Sequence, residues 1–363
     1  MENRIVFHID FDYFYAQCEE IRSPNLKAKP VCVCIYSDRG GDSGAIATAN
    51  YNARKFGVKS GMPIVFAKKR LQDTDAEFLP ADFEFYSQIS EKAMNIMKSY
   101  ADIFEYVGKD EAYLDVSKRT EGDFKTASHL AQQIKNSIRE ECKLTCSIGI
   151  SPNKLVSKIA SDFRKPDGLT LVPTDKVEVF LEALKIRAIP GIGKKTENKF
   201  TEMNLETIGD LKNLDIFTLQ KQFGRKSGTY IYNSVRGIDN EPVAEKEPSI
   251  QFSKITTLKK DSKDYEFLEN ALEKISIELH DVVKKNNKLF KSVGIQLIQS
   301  DLSNKTKSRM IKNPTNNLEE LQRISKQLLR EALENQELLV RRLGVKVSEL
   351  SEIKGQSDIT NYF

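Results

Sequence analysis

No apolar run in the chain approaches the roughly 20 residues that a helix needs to cross a bilayer. Residues 1–20 carry acids where an export signal requires an uninterrupted apolar stretch. A cytoplasmic location without membrane contact is therefore expected. Histidine is scarce: the three, at positions 8, 129 and 280, are too scattered for an imidazole-based metal or nucleophile site. Cysteine is little used as well. Cys32 and Cys34 have the spacing of one strand face, and Cys142 and Cys146 stand across a helix-to-strand change. Neither spacing is that of a zinc or redox site, and an odd total of five argues against a disulfide framework. Buried or free thiols in a reducing compartment are the expectation.

What is present is enough for several cores, since 363 residues with 39% hydrophobic content predict two to four domains. Charge is unevenly spread. Lys plus Arg minus Asp plus Glu gives +1 over 1–166, −1 over 167–250, +6 over 251–346 and −2 over 347–363. The basic excess of 251–346 is the ordinary composition of a solvated face, and also the footprint of a polyanion-binding module. Strand patterns ("RIVFHID", "PVCVCIY", "GAIATAN") alternate with helical ones over 1–166, predicting an α/β region in which "IFEYVGK" and "EAYLDV" form a hairpin. Residues 167–236 read as a small all-helical module, and "GIDNEPVAEKEPSIQ" as a linker over about 237–250. Over 251–346 the order is β-α-β-β-α-β, with Leu268, Leu272, Ile275, Leu279 and Val282 on one helix face and Leu318, Leu321, Ile324 and Leu328 on the other. A tail, 347–363, ends in "QSDITNYF".

The segment "RIVFHIDFDYFYAQCEE" runs an apolar strand into two acids and then three aromatics. Asp12 suits the cap of the helix that follows. Asp10 has possible company in Asp110 and Glu111, which the hairpin turn lets act together although neighbours on a regular strand point apart. Three converging carboxylates repel unless divalent cations neutralise them. An oxygen-only donor set favours Mg²⁺ shared with substrate phosphates, and a pair of such ions serves phosphoryl transfer.

The strings "HIDFDYFYAQCEE", "ATANYNARKFGVKSGMP", "DEAYLD", "SIGISPNKLVSKIASDFRKPDG" and "IPGIGKKT", in that order, resemble the Y-family translesion DNA polymerases, on the polymerase IV (polymerase kappa) branch. The resemblance runs continuously from residue 1 to about 346. It implies a palm (about 1–10 and 77–166), fingers (about 11–76), a helical thumb with a helix-hairpin-helix (167–236), a linker (237–250) and a β-α-β-β-α-β little finger (251–346). It also implies template-directed, low-fidelity DNA synthesis by a monomer, with two Mg²⁺ ions joining a dNTP to the primer end of primer-template DNA. There is no proofreading motif set.

By the same resemblance Asp10, Asp110 and Glu111, with the Phe11 carbonyl, are the metal ligands. Thr48, Tyr51, Arg54 and Lys165 and the amides of Tyr13 and Phe14 grip the triphosphate, although Arg54 and Lys165 taken alone read as surface residues. Tyr15 is the steric gate against ribose; without the resemblance it reads equally as a core aromatic. Gly44 and Ala45 line the nascent base pair, or are plain strand packing. The implied DNA contacts are Gly191, Gly193, Lys259, Lys260, Lys305, Lys307, Arg309, Arg341 and Arg342. Gln356, Ile359, Tyr362 and Phe363 match a clamp-binding PIP motif. The aromatic pair suits the PCNA-type clamp of archaea and eukaryotes, and the compact length an archaeal source.

One departure from the family is Gly108-Lys109 before the acidic pair: Lys109 is harmless if it points away from Asp110, and displaces a metal if it points inward. Two other readings are a catalytically silent DNA- or clamp-binding scaffold and a nucleotidyl cyclase built on the palm-like pattern alone. The basic C-terminal region and the tail speak against the cyclase, and the filled palm positions against the scaffold.

Overall fold

The computed structural model describes residues 4–245, 249–334 and 337–353. The chain divides into two compact units, Met1–Cys34 with Ile46–Met62 and Phe66–Lys246, and Ile35–Ala45 with Pro63–Val65 and Glu247–Phe363. In chain order the elements are β1 (Val6–Phe11), α1 (Phe14–Arg22), β2 (Val31–Tyr36), β3 (Gly44–Ala49), α2 (Tyr51–Arg54), α3 (Ile64–Arg70), β4 (Glu77–Pro80), α4 (Phe83–Ser99), β5 (Ile103–Tyr106) and β6 (Glu111–Asp115). There follow α5 (Phe124–Cys142), β7 (Cys146–Ser151), α6 (Lys154–Phe163), β8 (Leu169–Leu171), and then α7 (Val177–Glu182), α8 (Lys194–Thr201), α9 (Ile208–Lys212), α10 (Ile216–Phe223) and α11 (Arg225–Ser234). Last come β9 (Gln251–Ser262), α12 (Tyr265–Lys285), β10 (Lys288–Gln299), β11 (Asn304–Thr315), α13 (Leu318–Leu333), β12 (Val340–Ser348) and β13 (Ser351–Glu352).

The main sheet of the first unit has the order β5-β6-β1-β7-β8, so β1 lies at its centre between two antiparallel partners. A central strand is covered on both faces, which is why "VFHI" reads as a continuous run rather than an alternation. Helix α5 lays Ala127, Ala131, Ile134, Ile138 and Cys142 on the core, a 3.6-residue stripe, and α4 does the same with Tyr86, Ala93, Met94 and Met97. The helices from α7 to α11 share a separate core with α6, centred on Leu181, Phe200, Leu211 and Val156. All five cysteines are buried and free, as their spacing predicts. Among the described residues no helix is long and apolar enough to cross a membrane.

The polar stretch read as a linker is docked over its first part. Val243 is buried against Val6 and Tyr113, Asp239 accepts the Leu155 amide at 2.9 Å, and Glu241 pairs with Lys154 at 2.8 Å.

In the second unit the sheet order is β11-β10-β12-β9, with α12 and α13 packed on one face. This is the antiparallel arrangement expected of β-α-β-β-α-β. Along α12 the buried residue at the end of the stripe is Val283 rather than Val282, a shift of one position by which the 3.6-residue repeat keeps to the core side.

Candidate active site

Strand β1 delivers Asp10 opposite Glu111 of β6, and the Phe11 amide donates to the Asp110 carbonyl at 2.8 Å. The turn before β6 therefore places all three predicted acids at one end of the sheet. Their environments differ. Burial, acting against the pull of Lys165, raises the Asp10 carboxyl to about 6. Burial and the adjoining Glu111 raise Asp110, and no cation pairs with Asp110 among the described residues. Glu111 is lowered to about 2, first by its hydrogen bond with His8 and then by Lys158.

Lysines take the place of counterions. Lys165 donates to Asp10 at 2.5 Å and pairs with Asp162 at 2.8 Å; burial opposes its charge, but the two carboxylates together raise its pKa. Lys158 donates to Glu111 at 2.5 Å and lies 3.4 Å from His8 Nε2. His8 is fully buried, with Nδ1 2.7 Å from Ser161 Oγ. The Ser161 hydroxyl also donates to the Lys158 carbonyl at 2.8 Å, and His8 Nε2 lies 3.1 Å from Glu111 Oε2, so His8, Lys158 and Glu111 meet at one point. No set of three His, Cys, Asp or Glu side chains among the described residues is gathered as a ready-made cation cage. The donor chemistry nonetheless fits a hard divalent ion: three carboxylates, oxygen only, one of them without a cation partner.

The position predicted to cap α1 is a correction. Tyr13, at φ 37°, occupies the cap with no side-chain hydrogen bond. The buried Asp12 turns inward, accepting from Thr145 Oγ1 at 2.9 Å, Ser147 Oγ at 2.7 Å and the Asp167 amide at 2.8 Å. Asp12 thereby ties the start of α1 to the loop that carries Lys165. Lys135 ties the same loop from the other side, a role that sequence reasoning missed. It is 5% exposed, and its ammonium donates to the carbonyls of Cys146, Asp167 and Gly168 at 2.9, 2.6 and 3.0 Å. Its one signal in the sequence is a lysine within the apolar stripe of α5.

The remaining nucleotide candidates lie on β3 and α2. Thr48 is buried, and Asn50 caps α2 by accepting the Ala53 amide. The exposed Arg54 sends Nε to the Ala49 carbonyl at 2.9 Å, with its guanidinium 4.8 Å over the Tyr51 ring. Tyr51 meets Tyr13 edge-on at 5.3 Å, and its hydroxyl is buried without a hydrogen-bond partner. Phe14 is buried, and Tyr15 is half-buried on α1. As first-turn residues, these leave backbone amides without helical partners. Gly44 and Ala45 belong to the second unit, where a Cβ on Gly44 would meet the Ile35 carbonyl at 2.2 Å, so close strand packing accounts for the glycine. Lys109 points away from the acids: its ammonium donates to the Phe83 carbonyl at 3.3 Å and to Ser87 Oγ on α4.

Gly191, at φ 80°, makes the turn before α8, and Gly193 caps that helix. In the second unit the predicted cations separate by face. Strand register puts Lys305, Lys307 and Arg309 beside Leu297, Ile295 and Val293, on the helix side of the sheet, and Lys307 and Arg309 bond to Glu331 of α13. Arg341 pairs with Asp261, as does Arg39. Lys259 and Lys260 are exposed, with Lys260 over the Phe267 ring. The face away from the helices carries Arg342, whose Nε is buried without a partner, together with Lys346, Gly294 and Gly344. Of these, only Arg342 was predicted. Gln356, Ile359, Tyr362 and Phe363 lie outside the described residues.

Family models match along the chain: the impB/mucB/samB family over residues 9–162, a DNA polymerase-iota thumb domain over 187–239, and the impB/mucB/samB family C-terminal domain over 249–360. The chain is 75% identical to the DNA polymerase IV of Nitrosopumilus maritimus over 365 residues, covering 100% of both. Among solved structures, the Y-family DNA polymerase chimera Dbh-Dpo4(243-245)-Dbh is similar with a TM-score of 0.89 at 35% identity, covering 96% of this chain and 99% of that one. An insertion ternary complex of Dbh DNA polymerase is similar with a TM-score of 0.69 at 35% identity, covering 95% and 98%.

Proposed function

The chain belongs to the Y-family DNA polymerases, on the DNA polymerase IV branch, and from that premise we propose that Asp10, Asp110 and Glu111, with the Phe11 carbonyl, hold two Mg²⁺ ions where a primer 3′-hydroxyl meets a dNTP. It is a DNA-directed DNA polymerase of the translesion class, an activity that uses divalent metal. Bound ions supply charge for the attacking and leaving oxygens of the transfer. The chain itself supplies position. Lys165 exchanges Asp10 for the triphosphate, and the orphaned Tyr51 hydroxyl finds its acceptor in a phosphate oxygen. Thr48, Arg54 and the amides of Tyr13 and Phe14 complete the grip, while Tyr15 excludes a ribose.

In this reading residues 1–10 and 77–166 are palm, 11–76 fingers, 167–236 thumb and 251–346 little finger. DNA phosphates meet the Gly191–Gly193 turn, and duplex meets the helix-free face of the C-terminal sheet, where two glycines let the backbone approach and Arg342 and Lys346 supply charge. The observation that carries the proposal is the placing of Asp10 against Glu111 across β1 and β6, with Asp110 at the turn and Lys165 2.5 Å from Asp10. The test is extension of a primed template with Mg²⁺ and single dNTPs. Template-directed addition supports the reading, and DNA binding without extension returns the chain to a scaffold.

A sliding clamp of the PCNA type is the remaining partner, held by Gln356, Ile359, Tyr362 and Phe363. Deleting residues 356–363 is expected to leave extension of a short primer intact and to cancel stimulation by the clamp, because a tethering segment acts only through local concentration. Equal stimulation with and without the tail places the contact elsewhere.

A further inference from the structure

Tyr15 is held between two aromatic side chains of α4. On one side it stacks on Tyr86, with centroids 4.8 Å apart and planes at 21°. Tyr86 is fully buried and its hydroxyl donates to Glu19 at 2.6 Å, so that wall is immobile. On the other side Phe83 meets Tyr15 edge-on at 5.7 Å and 82°. Phe83 is the first residue of α4 and 42% exposed, so the core does not hold it. Tyr86 meets its ring edge-on at 6.2 Å and Ser87 Oγ donates to its carbonyl at 2.5 Å, and Lys109 reaches it from outside the helix. From the β5–β6 turn its ammonium donates to the Phe83 carbonyl and to Ser87 Oγ, and lies 5.9 Å over the Phe83 ring. The turn is fastened in return, since Ser90 Oγ donates to the Lys109 carbonyl at 2.6 Å. Lys109 immediately precedes Asp110. One lysine therefore links the movable wall beside Tyr15 to the turn that carries an active-site acid.

We propose that Phe83 and Lys109 are positioning residues that set how strictly this polymerase rejects ribonucleotides. The proposal rests on the reading of Tyr15 as the steric gate. A gate discriminates only as far as its ring is prevented from retreating, and discrimination is a difference between two insertion efficiencies. Tyr86 blocks retreat on the stacked side. On the edge-on side the resistance is that of Phe83, to which the tie to Lys109 adds a hold from outside α4. This gives a specific use to the lysine that departs from the family pattern.

The experiment measures single-nucleotide insertion of a ribonucleotide and its deoxy counterpart by the full chain on primed DNA, and reads the ratio of their kcat/KM values. The ratio cancels losses common to both substrates. Tyr15→Ala is the reference arm, expected to raise the ratio most. Phe83→Leu and Lys109→Met are each expected to raise it about 3- to 10-fold, the scale of a lost edge-on aromatic contact. Lys109→Arg, which keeps the charge and the reach, is expected to stay near wild type. Neither Phe83→Leu nor Lys109→Met is expected to add to Tyr15→Ala. An unchanged ratio in Tyr15→Ala overturns the gate itself. A raised ratio there with wild-type ratios in both Phe83→Leu and Lys109→Met overturns this inference alone. Lys109→Met replaces an exposed-side contact and leaves the core intact, so the test survives if Phe83→Leu folds poorly.

Discussion

Asp110→Asn is expected to reduce primer extension by about 10³-fold or more while leaving the fold as stable as before, or more so. The first half follows from charge. An amide keeps the size of the side chain but offers a metal a neutral oxygen in place of a carboxylate, and the several kcal/mol that metal ions contribute to phosphoryl transfer convert to rate at a factor of ten per ~1.4 kcal/mol. The second half follows from the surroundings. Asp110 has no cation partner among the described residues, whereas burial and Glu111 both oppose its ionised form. Removing its charge thus relieves repulsion that the fold otherwise carries for the sake of function. DNA binding is expected to persist, because the proposed duplex contacts lie on other residues. The check is primer extension alongside urea unfolding and a DNA-binding titration. A variant that extends normally removes Asp110 from the metal set.

The parts of this protein legible in its sequence are those governed by local pattern. The alternation of strand and helix, the hairpin before "EAYLD" and the order of the C-terminal elements all depend on periodicity and turn residues within a dozen positions. What escaped depends on distant partners. Asp12 has the residue type and position of a helix cap, but its three hydrogen bonds reach Thr145, Ser147 and Asp167, more than 130 residues away. His8 resembles any core histidine on a central strand until Glu111 and Lys158 are seen to meet it. The basic excess of 251–346 was visible as charge but not as direction. Strand parity turns Lys307 and Arg309 toward Glu331 of α13, and sends Arg342 and Lys346 to the opposite face. Lys109 is the converse case, in which the sequence posed two orientations and the turn geometry selects the one that spares the acids.

Lys135→Met is expected to lower the stability of the first unit and to weaken nucleotide binding together. The ammonium of Lys135 is the common donor for the carbonyls of Cys146, Asp167 and Gly168 and pairs with the Asp167 carboxylate at 2.8 Å. A methionine fills the same space but offers no proton, leaving these acceptors facing an apolar tip, at a cost of about 3–5 kcal/mol for the loss of a buried ionic partner. Arg139 still reaches the Asp167 carboxylate and Asp12 still holds its amide, so the loop shifts rather than unfolds. Lys165 stands two residues before Asp167 in the same loop, so any shift moves the ammonium now 2.5 Å from Asp10. Nucleotide affinity is accordingly expected to fall about tenfold, the equivalent of ~1.4 kcal/mol at the triphosphate. A double-mutant cycle with Lys165→Met separates this from general damage. If Lys135 acts through Lys165, the second substitution adds little to the first, because residues coupled through one loop are not additive. Urea unfolding and a nucleotide titration in single-turnover extension give the two readings. A destabilised Lys135→Met protein with wild-type nucleotide affinity, or full additivity with Lys165→Met, shows that the loop holds Lys165 in place without the buried lysine.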